Sequence, residues 1–274
     1  MFDSIAIIIC TPDPAAMTVK KALLGMDAWT EESEFDGHAV YSLGSRVKMY
    51  TTDISCIDCE YIDSQIDADF FIFATKHVSK AGVASLTVHT QGNFGVAKYG
   101  GKDKDLAIGS GTMIGNGLLK LFEIRDREKL KIEVIQEATH HGPALGKPSM
   151  FIEIGCSKKE WNDEALGKAN AEVILHLVTA EFEEFPSAIG IGGLHHCPRL
   201  TKVFLSEKIA FPHVCAKYLL KDLNKDMIVQ AIERSVDPVK YIYLDWKGLS
   251  GEKERLKLIC EEICAEKNLE LRRC

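Results

Sequence analysis

Short, uninterrupted apolar runs punctuate this chain, and between them lie segments in which apolar residues recur every three or four positions. Residues 5–9 are apolar throughout and of strand length, and the turn signal Pro12-Asp13-Pro14 leads from them into a helical pattern that reaches Leu24. Residues 35–66 are less regular, and alternating stretches at 40–43 and 47–50 predict a small strand-rich insertion there. The buried-strand pattern returns at 70–75, 86–88, 132–135, 150–154, 189–193 and 241–244. Helical patterns separate these runs. One ends near Phe122; a second opens on the capping-box sequence Ser157-Lys158-Lys159-Glu160 and runs to about Ala180. A third, started by Pro212, reaches Leu220 and sets His213 near its N-terminus, and a charged helix closes the chain. Such alternation predicts a single α/β domain over residues 1–274, a three-layer α/β/α sandwich around a mixed, mostly parallel sheet.

The histidines change this from a fold into a candidate site. Six of the nine fall in three blocks, His77 with His89, His140-His141 and His195-His196, each at or just past the end of an apolar run. A lone imidazole is more often a hydrogen-bonded surface or core residue than a ligand. Blocks placed after different strands of an open α/β sheet can instead converge in the crevice at the carboxyl ends of those strands. Two of them lie in Thr139-His140-His141-Gly142-Pro143 and Gly192-Gly193-Leu194-His195-His196-Cys197-Pro198, where Gly and Pro fix loop shape or allow close backbone approach.

Two chemistries suit these residues. Neutral imidazole is the commonest metal ligand, and a catalytic zinc keeps three protein ligands and one open position; His77, His89, His140, His141, His195, His196 and Glu153 form the pool, with no helical HExxH. The metal-free alternative uses one histidine as general base and backbone amides near Gly92-Asn93 or Gly192-Gly193 as an oxyanion hole. A Cys197–His196 nucleophile is a minor third option.

Composition narrows the classes. With 274 residues, 46% hydrophobic and 27% charged, the chain is an ordinary globular protein. Residues 5–10 are too short for a signal h-region or a membrane span, so a cytoplasmic protein without membrane association is expected. A formal charge of −7 argues against a uniformly basic nucleic-acid-binding domain, DNA-binding included, but not against a local basic patch, and Lys98, Lys102 and Lys104, or Lys217, Lys221 and Lys225 at helical spacing, are local cations. Nine cysteines, an odd number, suit reduced thiols, and the CxxC at Cys56–Cys59 has no second pair to complete a zinc ribbon. The glycine run 109–117 reads GxGxxxG, and 142–147 is no Walker A loop, so no nucleotide cofactor is expected.

Taken together, Lys76-His77-Val78-Ser79, the run from Leu86 through His89 to Phe94, Glu137-Ala138-Thr139-His140-His141-Gly142-Pro143, the run from Pro148 through Glu153 to Gly155, Gly192 to Pro198 and Asp245-Trp246-Lys247-Gly248 resemble the D-aminoacyl-tRNA deacylases of the archaeal and plant type. The resemblance covers nearly the whole chain. It implies hydrolysis of the ester between a D-amino acid and the terminal ribose of tRNA, an association with zinc, and a fold similar to the phosphorylase and peptidyl-tRNA hydrolase group. On that reading His140, His141 and His195 lie near the reacting ester, with His77, His89 and Glu153 as further metal ligands or their support. Asn93 and Thr139 would hold the α-amino group, and Lys76, Arg199, Lys202 and Lys247 would meet tRNA phosphates. One departure stands out: His196 takes a place where a Gly-Gly-His-Tyr-type segment has tyrosine. The competing readings are a zinc-dependent peptidase or amidohydrolase acting on a small substrate, and a non-catalytic tRNA-binding protein.

Overall fold

In the first strand, β1 (Ile5–Cys10), side chains alternate between two cores: Ile5, Ile7 and Ile9 enter one apolar cluster, and Ala6, Ile8 and Cys10 another on the opposite face. A strand covered on both faces needs no polar alternation, which is why its sequence is uniformly apolar. These features come from a computed structural model, which describes residues 2–79, 82–181 and 183–274. Helix α1 (Pro14–Met26) begins where Asp13 accepts hydrogen bonds from the amides of Ala15 and Ala16 at 2.9 and 3.1 Å, with Pro14 in the first turn.

The strands that follow are β2 (Thr30–Phe35), β3 (His38–Leu43), β4 (Val47–Thr52), β5 (Phe70–Val78), β6 (Ser85–His89), β7 (Glu133–Gln136) and β8 (Ser149–Cys156). With β1 they make an eight-stranded sheet in the order β2-β3-β4-β1-β5-β8-β6-β7. Strand β3 pairs antiparallel with both β2 and β4, and this meander extends the main sheet through the parallel β4–β1 pair. A second sheet, parallel throughout, contains β9 (Ser187–Ile191), β10 (Ala210–Cys215), β11 (Val239–Leu244) and β12 (Glu270–Arg273) in the order β10-β9-β11-β12. The alternation of strand and helix is therefore divided between two sheets. Helices α2 (Ile62–Gln65), α3 (Gly111–Glu128), α4 (Lys158–Trp161), α5 (Glu164–Thr179), α6 (Pro198–Glu207), α7 (Lys225–Glu233) and α8 (Lys253–Lys267) complete the α/β architecture. One apolar core joins the sheets, since Ile72 and Ile152 of the first share a cluster with Ala188, Phe211 and Tyr243 of the second through Met113, Ile114 and Leu118 of α3. Among the described residues no helix is long and apolar enough to cross a membrane.

Three local expectations are corrected. The capping box at Ser157 is present, but it opens only the single turn α4; a fresh cap, Asp163, starts the long helix α5. Residues 210–215 form strand β10, not a helix started by Pro212. β10 is an edge strand whose register shifts between Ala210 and His213, and there a proline without an N–H is tolerated. His213 is consequently fully buried, its Nε2 3.1 Å from the Arg234 carbonyl, and burial lowers its pKa to about 4. Lys217, Lys221 and Lys225 share no helix, because a 3₁₀ turn at Lys217–Leu219 and the Asn224 cap of α7 separate them.

Candidate active site

The register around β8 places the first site residues. Thr75 of β5 and Thr87 of β6 both stand opposite Glu153, so these three side chains share one sheet face. His77 lies two positions beyond Thr75, and His89 two beyond Thr87, so both project from that same face. Gly155, opposite His77, makes room for the ring: a Cβ there would lie 3.1 Å from His77 Cδ2. Because β6 runs antiparallel to β8, His77 and His89 do not share a carboxyl edge, as the sequence suggested, but gather over the middle of β8.

The other half comes from loops. Glu137 follows β7 and is fixed by its amide to the Val88 carbonyl at 3.1 Å, and the Ala138 amide donates to the His195 carbonyl at 2.8 Å, tying the loops after β7 and β9 together. The Gly92 amide donates to the His141 carbonyl at 2.8 Å. Gly92 has φ +135°, and a Cβ there would lie 2.7 Å from Leu106 Cα. Gly92→Ala should therefore cost about 1–3 kcal/mol of strain, to be read from denaturant unfolding; an unchanged midpoint would show that the loop accommodates the methyl group.

Two buried carboxylates hold the histidines. Glu137 Oε2 lies 2.8 Å from His195 Nε2, 3.1 Å from His77 Nδ1 and 3.8 Å from His140 Nε2. Glu153 Oε1 accepts from Thr75 Oγ1 at 2.9 Å and stands 3.5 Å from His89 Nε2 and 3.8 Å from His141 Nε2, while its Oε2 is 3.4 Å from His77 Nδ1. His196 Nε2 is 3.3 Å from His77 Nε2. All six block histidines and Glu153 thus meet.

Electrostatics follow from this packing. Burial opposes charge on Glu137 and Glu153, yet the imidazoles of His195 and His77 beside the former, and of His141, His77 and His89 beside the latter, hold both well below the usual carboxylate range. Burial likewise pushes the His77 pKa down, but the two carboxylates outweigh it and raise it to about 10. His89 is raised in the same way, burial being overcome by Glu153. Desolvation within the cluster, with His141 and His89 beside it, holds the pKa of half-buried His140 well below the usual imidazole value. Burial also lowers the pKa of His196.

One feature of the histidine geometry suits a metal. His89, His140 and His141 each have Nδ1 against a backbone carbonyl, of Thr90, Ala138 and Gly142 respectively, so each directs Nε2 into the cluster. A ligand nitrogen from each of the three falls within 4.8 Å of the others. Three further groups meet the same limit: His77 with Glu137 and His196, Glu137 with His140 and His195, and His89 with Glu137 and Glu153. His89 Nε2 and Glu137 Oε1 are buried without hydrogen-bond partners, the 3.5 Å approach of His89 to Glu153 being an ion-pair contact only.

The remaining expected residues surround or leave this centre. Asn93 is nearly buried and donates to the Gly100 carbonyl at 3.1 Å. The Thr139 hydroxyl accepts from the Val214 amide at 3.1 Å and sits 3.3 Å from His213 Nδ1, holding the histidine loop to β10. Lys76 approaches Asp13 at 4.0 Å, and Arg199 pairs with Asp245 at 3.2 Å. Lys202 on α6 and Lys247 after β11 are exposed. The amides of Gly92, Asn93 and Gly192 all donate to backbone carbonyls, which leaves these three unavailable for the oxyanion hole considered from sequence.

The family model described as D-aminoacyl-tRNA deacylase matches residues 64–272. The chain belongs to that family. It is 38% identical over 266 residues to the D-aminoacyl-tRNA deacylase of Pyrococcus furiosus, covering 94% of this chain and 95% of the relative. The D-aminoacyl-tRNA deacylase of Archaeoglobus fulgidus is 34% identical over 256 residues, covering 91% and 90% respectively. A crystal structure of a conserved protein of unknown function superposes with a TM-score of 0.90 at 31% identity, covering 98% of this chain and 95% of that one.

Two residues of this centre were not singled out as site residues in the sequence reading. Glu137 ends an apolar run three positions before His140, a signal that the search for histidines passed over. Tyr218, whose hydroxyl lies 3.3 Å from His195 Nδ1, carries no sequence signal at all.

Proposed function

We propose that this protein hydrolyses the ester joining a D-amino acid to the terminal ribose of tRNA, releasing free D-amino acid and tRNA, with zinc held in the histidine cluster. The observation that carries this reading is the convergence of His89, His140 and His141, Nε2 first, beside two buried carboxylates with partnerless atoms among them. Neutral imidazole and carboxylate are the donors zinc takes, so the residues fit. Those three histidines would hold it, with Glu137 and Glu153 as further ligands or outer support. Zinc in such a set supplies a Lewis acid for the ester carbonyl and lowers the pKa of water.

The chain's own residues supply the proton handling. Glu137 orients His195 through Nε2, and Nδ1 of this partly exposed ring, which the Tyr218 hydroxyl approaches at 3.3 Å, is the nitrogen that would accept a proton from water. That proton then passes to the departing ribose oxygen. Asn93 lies at the cluster's rim, where pocket walls would exclude the L side chain. Exposed Lys202 and Lys247 are the freer candidates for tRNA phosphates, since Arg199 and Lys76 face carboxylates already. A tRNA substrate supports a cytoplasmic enzyme.

The test is release of labelled tyrosine from matched D- and L-tyrosyl-tRNA, before and after chelation and zinc re-addition. D-selective release that stops on chelation and returns with zinc is the expected result. Release that survives chelation removes zinc from the proposal, and absence of D-selective turnover removes the deacylase reading in favour of a peptidase or a tRNA-binding protein.

A further inference from the structure

Beside His195 stands an exposed aromatic residue, Tyr218, whose hydroxyl approaches that histidine but whose ring face has no part in the proton handling. Tyr218 is 58% exposed, although its ring lies nearly parallel to that of His195, with centroids 6.4 Å apart and planes inclined by 28°. Its backbone is held firmly: the Lys217 amide donates to the Gly193 carbonyl at 2.9 Å, and the Leu219 amide to Ala216 at 3.0 Å. Beside it in sequence stand exposed Lys217 and Lys221, and Leu194, next to His195, is 55% exposed. A fixed, uncovered aromatic face flanked by apolar and cationic groups is the arrangement that binds a base of a single-stranded nucleic acid by stacking.

We propose that Tyr218 is the platform on which the terminal adenine of tRNA stacks, setting the attached ribose ester over His195. This rests on the deacylase reading. In that substrate the base and the ester share one ribose, so an ester at His195 brings the adenine within about one sugar's width, and Tyr218 is at that distance on the accessible side. Stacking reads no base edge, and every tRNA ends in the same adenosine. Tyr99, 70% exposed on the loop whose carbonyl accepts from Gly142, is the competing platform. Among the described residues, Tyr218 is the tyrosine whose ring stacks on a site histidine.

The experiment compares wild type, Tyr218→Ala, Tyr218→Phe, Tyr218→Trp and Tyr99→Ala on D-tyrosyl-tRNA, D-tyrosyl-adenosine and D-tyrosine ethyl ester. In parallel, uncharged tRNA ending in 2-aminopurine reports stacking as fluorescence quenching. Tyr218→Ala should raise KM for both adenosine-bearing substrates about 5- to 100-fold, change the ethyl ester far less, and abolish the quenching. Phe and Trp at 218 should restore KM and quenching. The proposal is overturned if Tyr218→Ala keeps wild-type KM and quenching, or if Tyr99→Ala carries the effect. It is equally overturned if Tyr218→Phe loses as much as Tyr218→Ala, or if the ethyl ester suffers equally, because the hydroxyl on His195 would then be what matters. A wild type that quenches 2-aminopurine but never cleaves the D-ester would sink the deacylase reading and leave the base platform standing.

Discussion

Replacing His195 with alanine should lower the turnover of D-aminoacyl-tRNA by about 10²–10⁴-fold, the range a positioned general base supplies. His195 is partly exposed and bound to Glu137 at 2.8 Å. The defect should lie in the chemical step, leaving KM nearly unchanged. Single-turnover hydrolysis at saturating enzyme measures it directly. His196→Ala should cost much less, since that ring faces His77 and stands 3.7 Å from the exposed carboxylate of Glu133. A His195 variant within tenfold of wild type would end its assignment as the base.

Glu153→Gln should damage folding and activity together. This carboxylate faces His77, His89 and His141 and accepts from Thr75, all inside the sheet face. Gln keeps the volume but removes the charge, and breaking a buried ion pair costs about 3–5 kcal/mol. Loss of a supporting carboxylate typically lowers metal affinity about 10- to 100-fold, so zinc titration should show a weaker site. The sign of the pH effect is set by direction alone. Glu137 and Glu153 lie below their unfolded pKa, so in metal-free protein their contribution is present above pH 4.5 and is lost as pH falls through their folded values. His77 works oppositely: its contribution is complete below about 6.5 and disappears as pH rises through about 10. Stability of the metal-free wild type should therefore fall on both sides of neutrality, and Glu153→Gln should flatten both limbs; a profile identical to wild type would remove Glu153 from the network.

Strands buried on both faces were easy to read, because a run such as residues 5–9 has no other use for five consecutive apolar side chains. Pro212 was misread because a proline that starts a helix and one that sits at the bulged edge of a sheet look alike until the neighbouring strand is known. The convergence of the histidines was legible from their placement after strands, whereas their meeting point was not: the antiparallel pairing of β6 with β8 is a long-range choice that leaves no local mark. Glu137 was hidden for a similar reason. A glutamate at the end of an apolar run reads as solvent-facing, whereas here the first-sheet histidines and the loop after β9, arriving from the second sheet, enclose it.

That arrival from the second sheet has a consequence for synthesis. His77 and His196 touch across 119 positions of sequence, and between them all of β6 to β9 must be laid down. Closing so wide a loop is slow compared with forming local helices. A ribosome-bound chain that has exposed only the first sheet holds His77, His89, His140, His141 and Glu153 but lacks His195 and the loop that buries Glu137. Newly made protein should thus pass through a stage with folded strands and no hydrolytic power, and activity should appear abruptly once the loop after β9 has emerged.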